Sequence, residues 1–146
     1  MSKTLYFAYG SNMSTGRLFS RIYGAKVFSS GRIVDKKVIC NKKSIDKSGK
    51  ANLVNSPGNV VYGILYEIDQ SDLDKLDKFE NGYQRKTVEI LMEKGVSVLA
   101  ESYISSNCTD DSRPLKWYKK FIVEGAIEHR FPEDYIDYLK QIHTKD

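Results

Sequence analysis

The sequence is poor in the residues that build metal centres and disulfide frameworks. It has two histidines, His129 and His143, and neither belongs to a metal-ligand spacing. Its two cysteines, Cys40 and Cys108, lie in unrelated contexts and are expected to be unpaired. We therefore predict no metal site and a reducing environment.

Long apolar runs and a secretion signal are also missing. No stretch approaches the roughly eighteen apolar residues of a membrane span, and residues 1–4 lead directly into an apolar strand. These absences predict a soluble, cytoplasmic protein that does not use a membrane. Repeats and low-complexity segments are absent too, so residues 1–146 are expected to form one globular domain, large enough to enclose a site.

The excess of positive charge is small. The 23 Lys and Arg residues are interspersed with 19 Asp and Glu residues, which gives a net charge of +4. The most basic stretch, residues 35–50, lacks interleaved aromatics on which bases would stack, and we interpret its last part, residues 42–50, as a mobile loop after a strand. We predict no nucleic-acid partner; an affinity that falls steeply as salt rises would be the sign of one.

One segment has the composition of a ligand-binding turn. Residues 5–9 read as a buried aromatic strand that stops at Gly10, and a helix follows. Gly10 allows close backbone approach, and the N–H groups of Ser11 and Asn12 can face an anion at the helix start. An ordinary connection, with Ser11, Asn12 or Ser14 as helix cap, explains the same residues.

The turn does not match better-known motifs. It lacks the glycines of a phosphate loop or a dinucleotide-binding turn. A serine nucleophile elbow needs a second glycine where this chain has Met13, so Ser11 is a poor candidate nucleophile.

Alternation of apolar and polar residues predicts a β-rich chain. The strand-like stretches are residues 26–40, 51–54, 60–68, 83–92 and 96–104, with turns at 55–59 and 94–95. Helical patterns cover residues 14–22, 114–128 and 132–143. Because the connections are short, we predict an α+β fold, a small mixed, largely antiparallel β-barrel flanked by helices.

A further helix places an acidic residue at its end. Ser71 and Asp74 resemble a capping box, and Asn81-Gly82 is a plausible stop, so Glu80 lies at the C-terminal end. The helix macrodipole disfavours negative charge there, and a site can use this to raise proton affinity. A solvated surface glutamate is the alternative.

Four separated segments resemble the γ-glutamylcyclotransferase family, also described as AIG2-like, in the same order along the chain. The first reads Tyr-Phe-Ala-Tyr-Gly-Ser-Asn; the four are residues 6–12, 55–66, 73–80 and 118–135. The resemblance spans about residues 5–142 and implies a small mixed barrel flanked by helices. It also implies that Glu80 is the catalytic acid/base.

The resemblance implies a pocket for a γ-glutamyl group. The residues that it assigns to substrate binding are Tyr6, Phe7, Ala8, Tyr9, Gly10, Ser11, Asn12, Tyr103 and Tyr118. From the residues alone, Tyr103 and Tyr118 are equally well explained as core aromatics.

The reaction that the resemblance implies is intramolecular and needs no cofactor. The α-amine of a γ-glutamyl amino acid or amine attacks its own γ-carbonyl, which yields 5-oxoproline and a free amine. Glu80 moves the proton, and the Gly10-Ser11 turn holds either the α-carboxylate or the oxyanion. The partner is then a small γ-glutamyl substrate, and the family allows a homodimer.

The identity of the leaving amine stays open. The chain returns from Glu80 to Tyr83 sooner than in animal members, where a longer loop is expected beside the site. Asn12 favours the branch that acts on γ-glutamyl amino acids. Relatives act on glutathione or γ-glutamylamines, and an enzyme for a γ-glutamyl-protected biosynthetic intermediate, or a non-catalytic γ-glutamyl-binding module, would look much the same.

Overall fold

The chain folds into a five-stranded barrel with helices outside it. The computed structural model describes residues 2–146. The strands are β1 (Lys3–Ala8), β2 (Lys26–Lys43), β3 (Gly49–Asp69), β4 (Gln84–Leu91) and β5 (Ser97–Ile104). The α-helices are α1 (Thr15–Arg21), α2 (Gln70–Phe79), α3 (Lys116–Glu128) and α4 (Glu133–Lys140). Short 3-10 turns occupy Ser11–Met13 and Glu93–Gly95.

The barrel closes through its first and last strands. The strand order is β1-β3-β2-β4-β5, and the closing β1–β5 pair is parallel, with Tyr6 opposite Glu101. The other neighbouring strands are antiparallel. Closure pairs the strands that would otherwise be edges. The predicted mixed, largely antiparallel barrel with outer helices is therefore confirmed.

The long β2–β3 hairpin corrects two sequence predictions. Its pairing runs from Lys26–Glu67 to Lys43–Gly49, so the mobile loop expected over residues 42–50 is reduced to a turn at residues 44–48. The expected turn at 55–59 does not reverse the chain either. There β3 bulges outward opposite Asp35, whose carboxylate accepts the Gly58 N–H at 3.0 Å.

Helix α2 begins differently from the prediction. Its N-cap is Asp69, without a side-chain cap hydrogen bond, so the expected capping box of Ser71 and Asp74 does not form. The Asp69 carboxylate instead pairs with the Lys3 ammonium at 2.9 Å. This pair links the start of α2 to β1, which also precedes the glycine turn.

The turn after β1 is clamped between the barrel and α3. The Tyr66 hydroxyl of β3 donates to the Asn12 carbonyl at 2.8 Å. His129 Nε2, at the end of α3, lies 2.9 Å from the Met13 carbonyl oxygen, and the Met13 side chain is fully buried. No helix within residues 2–146 is long and apolar enough to cross a bilayer.

Candidate active site

The glycine turn opens one side of a cavity. A Cβ atom at Gly10 would lie 2.9 Å from Ala51 Cβ, so only glycine lets the turn after β1 approach the start of β3 this closely. Ser14, the third candidate cap, is the actual N-cap of α1 and accepts from the Arg17 N–H. Within residues 2–146, the N–H groups of Ser11 and Asn12 have no hydrogen-bond acceptor. The predicted anion-binding amides are thus available.

Glu80 lies at the end of α2, as predicted, and its side chain faces the same cavity. Its N–H completes the helix by bonding to the Leu76 carbonyl at 3.1 Å. The Glu80 side chain is 15% exposed, and its carboxylate accepts a hydrogen bond from Asn12 Nδ2 at 3.0 Å. Asn12 Nδ2 also lies 3.0 Å from the Tyr6 hydroxyl oxygen. Asn12 therefore joins the glycine turn to Glu80.

Opposing effects act on the Glu80 proton. Burial raises the pKa of Glu80 above its ordinary value of 4.5, because the charged form loses solvation. Arg21, Arg17 and Lys42 oppose this, in that order, as does the Asn12 hydrogen bond. The effect of burial is larger, so Glu80 keeps a proton more readily than a surface glutamate does.

The cavity has a volume of about 190 Å³ and is rich in tyrosine. Eight of the nine predicted substrate-binding residues line it together with Glu80: Tyr6, Phe7, Tyr9, Gly10, Ser11, Asn12, Tyr103 and Tyr118. Ala8 does not; it is buried within β1. The cavity thus gathers residues from the first strand, the α2 end, β5 and α3.

Hydrogen bonds fix the tyrosines of this cavity. The Tyr118 hydroxyl accepts the Ala51 N–H at 3.0 Å, and the Tyr9 hydroxyl donates to the Tyr103 carbonyl. The Tyr103 hydroxyl donates to Asp77 at 2.5 Å. Burial raises the pKa of each of these phenols, so they remain neutral donors and acceptors around a ligand.

Four cationic residues that line the cavity were not predicted from the sequence: Arg17, Arg21, Lys42 and Lys50. The i,i+4 spacing of Arg17 and Arg21 puts both on one face of the helix after the turn, and this signal was available in the sequence. No comparable signal marks Lys42 and Lys50, since the pairing of β2 with β3 decides which lysines face inward.

Lys42 is fixed beside Glu80 by the chain reversal after α2. Its Nζ donates to the Asn81 carbonyl at 2.7 Å and lies 5.0 Å from the centre of the Tyr83 ring. Gly82 has φ +87°, and a Cβ there would lie 2.8 Å from Lys42 Nζ. The short return from Glu80 to Tyr83 therefore holds a buried cation at the cavity wall.

The part of the chain that the structure describes, residues 2–146, contains no group of three or more His, Cys, Asp or Glu side chains arranged to hold a metal ion. Cys40 is buried and Cys108 exposed, and both thiols are free. Neither cysteine lines the cavity.

The fold and the cavity place this chain in a class of small barrel proteins that have a partly buried carboxyl group in a cationic, tyrosine-lined pocket. The sequence pattern of the AIG2-like family matches residues 60–139. The γ-glutamylcyclotransferase of Homo sapiens is 32% identical to this chain over 151 aligned positions, which cover 97% of this chain and 80% of the human one. The chain therefore belongs to the AIG2-like γ-glutamylcyclotransferase family, and the predicted resemblance is confirmed.

Comparison with further proteins extends this result. A solved γ-glutamyl cyclotransferase superposes with a TM-score of 0.92 at 32% identity, covering 99% of this chain and 90% of that one. The γ-glutamylaminecyclotransferase A of Danio rerio is 39% identical over 64 residues, 40% of each chain. The similarity to the γ-glutamylcyclotransferases covers nearly the whole chain. The similarity to the γ-glutamylaminecyclotransferase is local.

Proposed function

We propose that this protein is a γ-glutamylcyclotransferase that converts a γ-glutamyl amino acid or amine to 5-oxoproline and a free amine. The observation that carries the proposal is Glu80, a partly buried carboxyl group of raised pKa that lines a small cavity with the Gly10 turn and accepts a hydrogen bond from Asn12 of that turn. Full-length similarity to enzymes of that name supports it.

The reaction begins at the substrate's α-ammonium group. Glu80, as carboxylate, accepts a proton from it, and the freed α-nitrogen attacks the γ-carbonyl carbon within the same molecule. A carbon–nitrogen bond forms while the carbonyl π electrons move to oxygen. Since both reacting groups belong to one bound molecule, the cavity contributes mainly by holding them in the attack geometry.

Collapse of this intermediate completes the exchange of one amide for another. Glu80 gives its proton to the leaving nitrogen, and the carbonyl re-forms as the bond to that nitrogen breaks. The regenerated Glu80 carboxylate then takes the second proton from the ring nitrogen and passes it to the released amine. Of the three protons on the α-ammonium nitrogen, one stays in the lactam and two end on the released amine. A raised pKa suits a group that must both accept and donate near neutral pH.

The backbone turn supplies electrostatic help. The free N–H groups of Ser11 and Asn12 can bind the α-carboxylate or the oxyanion that develops on the γ-carbonyl oxygen. Tyr6, Tyr9, Tyr103 and Tyr118 surround the glutamyl chain in this proposal. No protein nucleophile takes part.

The remaining features of the proposal come from the sequence. We infer a single-domain, cytoplasmic enzyme whose partner is a small molecule and not a nucleic acid. A homodimer stays a prediction, which light scattering tests directly.

The experiment that tests the proposal uses the product and the solvent. With a panel of γ-glutamyl compounds in ¹⁸O water, we expect unlabelled 5-oxoproline by mass spectrometry, because ring closure takes no oxygen from water. N-acetylation of the substrate α-amine should abolish release of the leaving amine. Labelled glutamate as first product, or turnover of the acetylated compound, would show hydrolysis instead. Binding without turnover would identify a non-catalytic module.

A further inference from the structure

The cavity carries more positive charge than Glu80 alone can balance. Four cationic side chains line it, and Glu80 is the only acidic side chain among the lining residues that the structure describes. Arg21 lies 3.9 Å from the Glu80 carboxylate, and Lys42 is bonded to the Asn81 carbonyl. Arg17 and Lys50 remain to be explained.

Both of these cations rest on aromatic rings. Lys50 Nζ lies 4.4 Å from the centres of the Trp117 and Tyr118 rings. Arg17 Cζ lies 5.5 Å from the centre of the same Trp117 ring and 4.8 Å from that of Phe121. Ring faces attract and position a cation but do not neutralise it. Two positive charges are thus gathered around Trp117, at the edge of the cavity.

Neither charge is well balanced by the protein. Within residues 2–146, Arg17 forms no ion pair; its Nε donates to the neutral Ser11 hydroxyl at 3.0 Å. Lys50 has one carboxylate near it, that of Asp46 at 3.8 Å, which is 43% exposed and whose other oxygen accepts from Ser48. Because the distance is long and the Asp46 side chain is exposed, this pair contributes little. Burial lowers the pKa of both cations, as expected where an anion is lacking.

The chemistry of a γ-glutamyl substrate separates its negative charges. The glutamyl α-carboxylate is attached to the carbon that carries the attacking amine, so it must lie beside Glu80 and its neighbour Arg21. A carboxylate on the leaving residue is separated from it by the length of the glutamyl side chain. It therefore needs a second cationic position, which Arg17 and Lys50 provide.

We propose that Arg17 and Lys50, held on the Trp117 ring, form a second carboxylate subsite that binds the carboxylate of the leaving amino acid. The inference rests on the proposed function and names the residues that set its specificity. The subsite makes the enzyme favour γ-glutamyl amino acids over γ-glutamylamines with an uncharged leaving group.

The test uses two substrates that differ in this carboxylate alone. γ-Glutamylalanine releases alanine, and γ-glutamylethylamide releases ethylamine, the same skeleton without the carboxylate. We expect the wild-type kcat/KM to be at least about tenfold higher for γ-glutamylalanine, since charge-assisted hydrogen bonds are the strong ones. Lys50→Gln should lower the ratio of the two kcat/KM values about tenfold, and Lys50→Arg should restore most of it.

The control is Lys120→Gln on the outer face of α3, whose side chain is exposed and whose ratio should equal that of the wild type. A wild-type ratio near one, or an unchanged ratio in a folded Lys50→Gln, would overturn the subsite while 5-oxoproline formation still upheld the proposed function. Absence of 5-oxoproline from both substrates would remove both proposals. If Lys50→Gln does not fold, the wild-type ratio and that of Arg17→Gln decide.

Discussion

A single carboxyl group sets the chemistry that this cavity can perform. Glu80 is buried enough for its pKa to rise, yet three cations and Asn12 keep its charged form accessible. In the proposed reaction, this balance suits a group that takes up and releases a proton. Its consequences can be measured at the level of individual side chains.

Replacing Glu80 by Gln should lower kcat by at least about a hundredfold, because general acid–base catalysis is typically worth that much. Glutamine keeps the shape of the side chain and cannot take up the proton. The matched control is Glu124→Gln, an exposed glutamate of α3, which should retain full activity. Circular dichroism must show that both variants are folded; near-normal turnover of a folded Glu80→Gln would remove Glu80 from its role.

The pH profile should report the raised pKa of Glu80. As pH falls, kcat/KM should decline with an apparent pKa above 4.5, because protonated Glu80 cannot accept the α-ammonium proton. Arg21→Gln removes the largest charge effect that lowers this pKa, so the decline should move to higher pH. A profile that is flat down to pH 4.5, or that does not move in Arg21→Gln, would contradict this assignment.

The same shift has a consequence for stability. A folded-state pKa above the unfolded value means that the folded protein binds this proton more tightly. Stability from Glu80 is therefore full below about pH 4.5 and is lost as pH rises through the raised pKa. Denaturant unfolding should show that Glu80→Gln gains stability relative to wild type across this window; a constant difference would argue against the shift.

Elements position the charges that surround Glu80. Strand β2 delivers Lys42 to the cavity, and the reversal after α2 passes over its ammonium group at Gly82. The contact joins two elements that are far apart in sequence. Loss of this contact should therefore lower the activity of the site by more than the accompanying loss of stability would explain.

Two glycine substitutions separate the effect on stability from the effect on activity. Gly82→Ala and Gly95→Ala both place a side chain at positive φ, +87° and +74°, which should cost each about 1 kcal/mol and lower Tm by about 4 °C. At Gly95 nothing lies within 4 Å of the added Cβ, whereas at Gly82 it meets Lys42. Only Gly82→Ala should also lower kcat/KM. Equal activity of the two variants in a steady-state assay would show that Lys42 has no role.

The fold as a whole decides which reactive groups meet solvent. Burial raises the pKa of the Cys40 thiol to about 12, while Cys108 is exposed. The thiolate is the nucleophile that attacks thiol reagents, so the two cysteines should differ sharply in reactivity in the native molecule. Neither belongs to the cavity or to the proposed reaction.

N-Ethylmaleimide should therefore modify one thiol per native chain and two after unfolding, as counted by mass spectrometry. The singly modified protein should keep its activity, and activity should also survive EDTA, since the proposed proton transfers need no metal. Rapid modification of both cysteines in the native state would show that Cys40 is less protected than its burial implies. Loss of activity on chelation, restored by a specific metal, would contradict the proposed mechanism.

Local sequence determined the elements of this protein. The strand before Gly10, the helix ending at Glu80 and the hairpin of β4 and β5 were predictable, because periodicity and turn residues act between near neighbours. The short connections between strands predicted the barrel, and the family resemblance implied the same fold and supplied the candidate catalytic role of Glu80. The role of each site residue stays a prediction, although the cavity gathers most of them.

Only the tertiary structure decided which charges surround Glu80. Asn12 meets Glu80 across 68 positions of sequence, and Lys42 and Lys50 face the cavity because the register of β2 against β3 turns them inward. A change of one residue in that register would turn them outward. Short-range patterns contain no information on such pairing, so the sequence alone placed these lysines in a solvated loop. In the closed barrel they line the cavity and make it cationic.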